Sequence, residues 1–235
     1  MHEKRLTFNK SSKKHEPKGL TILYEDQDIL VVSKSNGLLT VSTDREKEKT
    51  AHFLLNDYVR KGNAKSKNRV FIVHRLDKDT SGILVFAKNE KVKRYLQDNW
   101  GEFNKKYFAV AHGKLPDKEG IITSYLVENK LHRIYSVKDT IKGKFSKTGY
   151  RVLKESGKYS LLEIHLFTGR KNQIRVHLAE KGHPVVGDKM YGRTDKGIKR
   201  LTLHAASLTI LHPFTKEKMI FESEIPLYFK TLVNY

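Results

Sequence analysis

Asp77 stands in a short polar loop with His74, Arg75 and Lys78 as neighbours, so the chain places one carboxylate beside several cationic groups. Such a carboxylate can act as a nucleophile or take a proton. The loop closes with Asp79-Thr80-Ser81-Gly82. Local chemistry leaves two readings open. One is a tight turn in which Asp79, Thr80 and Ser81 bond to their own backbone and Gly82 supplies the unusual dihedrals. The other is a functional loop whose polar groups are held by a rigid scaffold. Asp77 and Asp79 are also two apart, as metal-binding carboxylates sometimes are, which keeps a metal-dependent nuclease in view.

The elements that must position this loop are the apolar, β-branched runs on either side, Val70-Phe71-Ile72-Val73 and Ile83-Leu84-Val85-Phe86. They read as two buried strands. Thr21–Tyr24 and Ile29–Val32 read as strands about the polar turn Glu25-Asp26-Gln27-Asp28. Further strands are expected at Tyr107–Ala111, Ser160–Phe167, Ala206–Leu211 and Met219–Glu222. Helical spacing follows Thr50 (Ala51, Leu54, Leu55, Tyr58, Val59) and the capping residue Asn89 (Val92, Tyr95, Leu96, Asn99). A third helix runs from about Asn172 to Lys181, closed by Gly182. Segregated strands with few helices predict an α+β fold, not alternating βαβ units.

The sequence holds 46 Lys+Arg against 26 Asp+Glu, a formal net charge of +20, which favours a polyanionic partner. A basic factor that binds RNA or helps assemble ribosomes without catalysis would show the same excess. The 235 residues suffice for a sizeable core, and the absence of cysteine excludes disulfides, thiolate metal sites and a cysteine nucleophile. The eleven histidines are scattered, with no metal-ligand pattern. No apolar run approaches the roughly 20 residues that span a bilayer, so a cytoplasmic protein is expected. Residues 1–19, with Lys4, Arg5, Lys10, Lys13, Lys14 and Lys18 and few apolar groups, predict a flexible basic arm ahead of one domain over 20–235.

Three ordered segments carry a resemblance. His74-Arg75-Leu76-Asp77-Lys78-Asp79-Thr80-Ser81-Gly82 resembles the signature of the RluA-type RNA pseudouridine synthases. Lys106-Tyr107-Phe108-Ala109-Val110-Ala111-His112-Gly113 is similar to the family's tyrosine-bearing strand. Thr168-Gly169-Arg170-Lys171-Asn172-Gln173-Ile174-Arg175-Val176-His177-Leu178 is similar to its third motif. The segments Gly182–Asp188 and Leu203–Ala206 also follow the family pattern, so the likeness runs from about Leu20 to the C-terminus. The chain resembles a short form, since 19 residues cannot make the small N-terminal RNA-binding domain that many relatives carry.

The resemblance implies the family's catalytic fold, a mixed and mainly antiparallel sheet flanked by a few helices and loops. It also implies isomerisation of specific uridines in structured ribosomal or transfer RNA, without metal or small-molecule cofactor, by a protein taken as a monomer by default. Asp77 matches the essential aspartate, which either attacks covalently or abstracts a sugar proton. Arg175 matches the arginine that pairs with it, and Tyr107 the tyrosine that stacks on uracil. Arg75 corresponds to an arginine that fills the space of the flipped nucleotide, whereas a structural hydrogen bond is expected of His74. Arg170 and Lys171 join Arg75 as expected RNA contacts. The runs Arg60-Lys61…Lys65…Lys67…Arg69 and Lys189…Arg193…Lys196…Lys199-Arg200 either track phosphates or are solvated loops. Two departures stand out. Asn172 occupies a place that is often histidine, and Lys34-Ser35 replaces a Lys-Pro pair, which predicts a looser turn.

Overall fold

In the computed structural model, residues 3–7 are described by their backbone, and residues 16–44, 46–193, 195 and 197–235 in full. The strands, in chain order, are β1 (Glu3–Thr7), β2 (Leu20–Glu25), β3 (Ile29–Lys34), β4 (Phe71–Ile72), β5 (Ser81–Ala87), β6 (Asn104–His112), β7 (Glu119–Glu128), β8 (Ile134–Val137), β9 (Lys144–Glu155), β10 (Tyr159–Leu166), β11 (Leu203–Leu211) and β12 (Lys218–Glu222). The helices are α1 (Ala51–Arg60), α2 (Glu90–Asp98), α3 (Gln173–Glu180) and α4 (Leu227–Val233). β1 lies parallel to β12, whereas β2·β3, β3·β5, β4·β5, β6·β10, β9·β10, β7·β9, β7·β8 and β11·β12 pair antiparallel, so the fold is α+β with a mixed sheet. The chain divides into two compact units, Met1–Phe103 with Ser207–Ser223, and Asn104–Ala206 with Glu224–Tyr235.

In the first unit β3 pairs with both β2 and β5, and Ile29 to Val32 are fully buried, as a strand covered on both faces requires. Asp26 sets the preceding turn, its Oδ1 accepting from the amides of Asp28 and Ile29 at 2.8 Å. Thr50 and Asn89 cap α1 and α2, as their side chains predict, by accepting from the amides of Phe53 (3.2 Å) and Val92 (2.8 Å). Val92 and Leu96 of α2 pack on Ile29, Val31, Ile83 and Val85. The arm expected over residues 1–19 contains a strand, since Glu3–Thr7 pairs with Lys218–Glu222. An open strand edge offers backbone groups, so that pairing needs no apolar side chains. Residues 1–2 and 8–15, including Lys10, Lys13 and Lys14, lie outside the described residues, as does Lys196 of the second basic run.

In the second unit the order is β6-β10-β9-β7-β8. Alternation sends Ala109, Ile122, Leu162 and Ile164 to one face, where Ile174 and Leu178 of α3 pack. Val110 and Leu161 go to the other, under Phe229 and Val233 of α4. The helix expected from Asn172 forms with Asn172 as its N-cap, Lys181 as its C-cap and Gly182 at φ +83°. Among the described residues no helix is long and apolar enough to cross a membrane.

Candidate active site

The Asp77 loop begins where β4 leaves the sheet. Beyond Ile72, which pairs with Phe86, the imidazole of His74 takes over the ladder, its Nε2 accepting from the amide of Val85 at 3.1 Å. This fixes Nε2 as the acceptor nitrogen, and the ring packs on Trp100 with centroids 4.2 Å apart. His74 thus has the structural role expected of it. Gln97 of α2 donates to the carbonyl of Val73 at 3.1 Å, tying down the same shoulder.

Both neighbours of Asp77 are pinned. On one side, the buried Thr40 hydroxyl donates to the carbonyl of Leu76 (2.8 Å) and accepts from its amide (3.2 Å). On the other, the carbonyl of Lys78 accepts from the amide of Gly37 (3.0 Å) and from Lys34 Nζ (3.1 Å). Asn36 Nδ2 donates to the carbonyl of Asp79, and the amide of Thr80 donates to the carbonyl of Asp77 at 3.1 Å. Gly82 has φ +115°, so the turn geometry read from Asp79–Gly82 is present and itself forms the scaffold of the loop. Asp77 is half-buried, while Arg75, Lys78 and Asp79 are exposed.

The sequence marks Lys34 only as half of the Lys34-Ser35 departure. Its side chain is 1% exposed, and Nζ donates to three carbonyls, of Ser35, Leu38 and Lys78, at 2.8–3.1 Å. Burial pulls its pKa down to about 8, against the opposing pull of Asp79 and Asp77. The turn is not left loose by Ser35, because its amide donates to the carbonyl of Gly19 at 2.9 Å, a bond proline could not make.

In the second unit, Tyr107 of β6 pairs with Ile164 and packs, half-buried, with the cluster that holds Ile174 and Leu178 of α3. Asn172 opens α3 from the left-handed region (φ +54°). It accepts from Arg175 Nη1 at 3.0 Å and donates to the Tyr191 hydroxyl at 3.2 Å, which ties the departure from histidine to a definite network. Arg175 grips Asp188 through two parallel bonds, Nε to Oδ2 at 2.7 Å and Nη2 to Oδ1 at 2.8 Å. Burial pushes the Asp188 carboxyl up, but Arg175 and the amides of Tyr191 and Met190 outweigh it and hold the carboxyl below its usual range. The sequence offered Asp188 only as the end of a family-like segment, with no signal that it would anchor Arg175.

Arg170 and Lys171 are exposed at the start of α3. Arg170 Nε donates to the carbonyl of Phe145 at 3.3 Å, and Lys171 pairs with Glu128. Arg69 and Arg200 are partly committed to rings, lying 4.7 Å from the centroids of Phe71 and Tyr228. Among the described residues no three His, Asp or Glu side chains converge as a metal ion would need.

A family model described as RNA pseudouridylate synthase matches residues 28–180 of the chain, well over half of its 235 residues. The chain belongs to this family. The likeness covers all three motif segments up to His177 and Leu178. An uncharacterised RNA pseudouridine synthase of Bacillus subtilis, YhcT, is 35% identical over 91% of the chain and 71% of its own length. The ribosomal large subunit pseudouridine synthase D of Borreliella burgdorferi is 36% identical over 81% of the chain and 61% of its own length. The structure of human RNA pseudouridylate synthase domain containing 4, 22% identical, superposes with a TM-score of 0.73 over 88% of this chain and 89% of its own, and shows the fold. As an RNA pseudouridylate synthase the protein is an isomerase of RNA uridine, and neither a metal-dependent nuclease nor a binding-only factor is favoured.

Proposed function

We propose that the protein converts specific uridines of structured ribosomal or transfer RNA to pseudouridine, with Asp77 as the reacting carboxylate. The observation that carries this reading is the clamping of Leu76 by Thr40 and of Lys78 by Lys34 and Gly37, which holds the intervening Asp77 in one position. Preorganisation of this kind lowers a barrier by removing the entropy of arranging the reactive group.

The reaction breaks the bond from the sugar to N1 of uracil, turns the base and joins C5 to the sugar, and the proton lost from C5 is matched by one taken up at N1. Atoms and electrons balance within the nucleotide, so the step consumes no donor or oxidant. Asp77 attacks covalently or takes a sugar proton; both routes use the same carboxylate. Tyr107 stacks on the uracil ring, and Arg175 serves as the cation of the site. Arg75, exposed on the Asp77 loop, fills the space left by the extruded base, and Arg170 and Lys171 contact phosphates. A monomer working in the cytoplasm suits the net charge of +20 and the absence of cysteine. The Borreliella relative's name assigns that protein to the large ribosomal subunit, which favours ribosomal RNA as substrate here.

The test is release of tritium from RNA labelled at C5 of uracil, with unmodified ribosomal and transfer RNA offered separately. Release from ribosomal RNA is expected; release confined to transfer RNA would reassign the substrate, and silence from both would overturn the reading.

A further inference from the structure

The sheet of the second unit has one face under α3 and an opposite face on which α4 packs, chiefly over β6 and β10. Farther out, over β9, β7, β8 and the end of β10, that face carries exposed side chains among the described residues. The registers place Ile121, Thr123, Tyr125 and Val127 of β7 there, with Tyr135 and Val137 of β8 and Phe145, Lys147 and Gly149 of β9. Phe167 joins them just past β10. Ile121 is 61% exposed, Phe167 50%, and Tyr135 and Phe145 45% each.

This exposed surface is aromatic and cationic, not aliphatic. Tyr125 meets Phe145 edge to face, with centroids 5.7 Å apart. Lys147 Nζ lies 4.7 Å from the centre of the Phe167 ring. Gly149 makes room for that ring, since a Cβ there would stand 3.1 Å from Phe167 Cε2. Beside the rings the same face carries His165, Arg151 and Lys106 with the carboxylates Glu119 and Glu163, of which Glu163 is matched by Arg151 at 3.0 Å, His165 at 3.2 Å and Lys106 at 3.8 Å.

We propose that this face, on the opposite side of the sheet from Tyr107, is a second RNA-contact surface that takes unpaired nucleotides. Bases stack on Phe145 and Phe167, and Lys147 meets the phosphates. Exposed rings on a four-stranded sheet with cations beside them are the arrangement by which sheets hold single strands, and every base offers a π-face whatever its sequence. The occupant is chosen by charge complementarity: the exposed region adds positive charge to rings, in a chain of net charge +20. The choice of RNA rests on the uridine-isomerase reading, but the contact lies away from the chemistry.

The test uses a fluorescein-labelled 12-nucleotide oligocytidylate, which is single-stranded and contains no uridine to enter the catalytic pocket. Anisotropy is measured with the full chain, with Phe145→Ala/Phe167→Ala and with Lys147→Gln. Both rings are exposed, so the double variant folds, which circular dichroism verifies. It is expected to bind at least about tenfold more weakly than wild type, as the loss of one to two stacked bases implies. Lys147→Gln is expected to flatten the slope of log affinity against log salt by about 0.7. Affinity of the double variant within twofold of wild type would overturn the proposal. So would a wild-type dimer that the ring substitutions break without changing RNA affinity, since the face would then be a protein interface. Tritium release by the same wild-type preparation separates the two readings. Release with unchanged oligocytidylate binding sinks only the platform, and absent release with the tenfold difference intact sinks only the synthase.

Discussion

Arg175 and Asp188 form a two-bonded pair at 2.7 and 2.8 Å, and the carboxylate of Asp188 is completely buried. Arg175 is therefore oriented before any substrate arrives. Its Nη1 is turned to Asn172, so the start of α3 and the segment after Gly187 are fastened through a single guanidinium.

Asp188→Asn removes a buried carboxylate charge bound to Arg175 and is expected to destabilise the protein by about 3 kcal/mol, as breaking one side of a buried pair does. Urea unfolding measures this, and a cost under 0.5 kcal/mol would show that Arg175 finds its orientation elsewhere. Because the folded carboxyl lies below its usual pKa, the contribution is full above that usual range and is lost as pH falls through the folded value.

Lys34 makes the Asp77 loop sensitive to alkali. Its pKa of about 8 lies below that of a free lysine near 10.5. Between those values the unfolded chain binds the extra proton, so this group makes stability rise with pH while the loop loses its buried cation. Turnover of the wild type is expected to descend above about pH 8. Lys34→Met, lacking the cation at every pH, is expected to work roughly tenfold more slowly and without that descent. Superimposable profiles for kcat from pH 6.5 to 9.5 would refute the role.

His177 contributes to the acid limit of the second unit, alongside the buried His204, whose pKa burial also drops to about 4. His177 is fully buried, within 2.9 Å of the hydroxyls of Thr148 and Ser124, and burial drops its pKa to about 4. Below the ordinary value of 6.5 the unfolded chain takes up a proton that the folded chain refuses until about pH 4, so stability present above 6.5 is lost across that window. The loss is of order 3 kcal/mol, and His177→Gln is expected to flatten the acid limb of a plot of Tm against pH.

Arg75→Ala is expected to slow turnover on a structured RNA about tenfold more than on an isolated flexible loop, because extrusion costs a few kcal/mol only where the base is stacked. Equal losses on both substrates would remove Arg75 from base flipping.

The parts of this architecture legible in the sequence are those with local signals. Thr50, Asn89 and Gly182 marked their helix ends because capping is a matter of neighbouring residues, and β3 and β5 were plain from runs of buried β-branched side chains. The strands β7, β8 and β9 escaped notice because part of their pattern is inverted. Ser124, Ser146 and Thr148 face α3, where Ser124 and Thr148 bond His177 and Thr148 also bonds Gln173, while Ile121 and Phe145 face outward. Helix α4 is seven residues long with Pro226 at its start and no side-chain cap, so it gave little to read. For the candidate site, Asp77, Tyr107 and Arg175 are nominated by motif likeness alone. Thr40 and Lys34 bind backbone 36 and 44 residues away, a pairing that no local pattern announces.

The most direct test of the account is tritium release from C5-labelled ribosomal RNA by wild type and Asp77→Asn, with RNA affinity measured on the same preparations. Isomerisation is expected to vanish in the variant while affinity stays within a few fold, because the substitution removes the reactive carboxylate and leaves the phosphate contacts. Turnover by Asp77→Asn comparable to wild type would contradict the assignment of the chemistry to this residue.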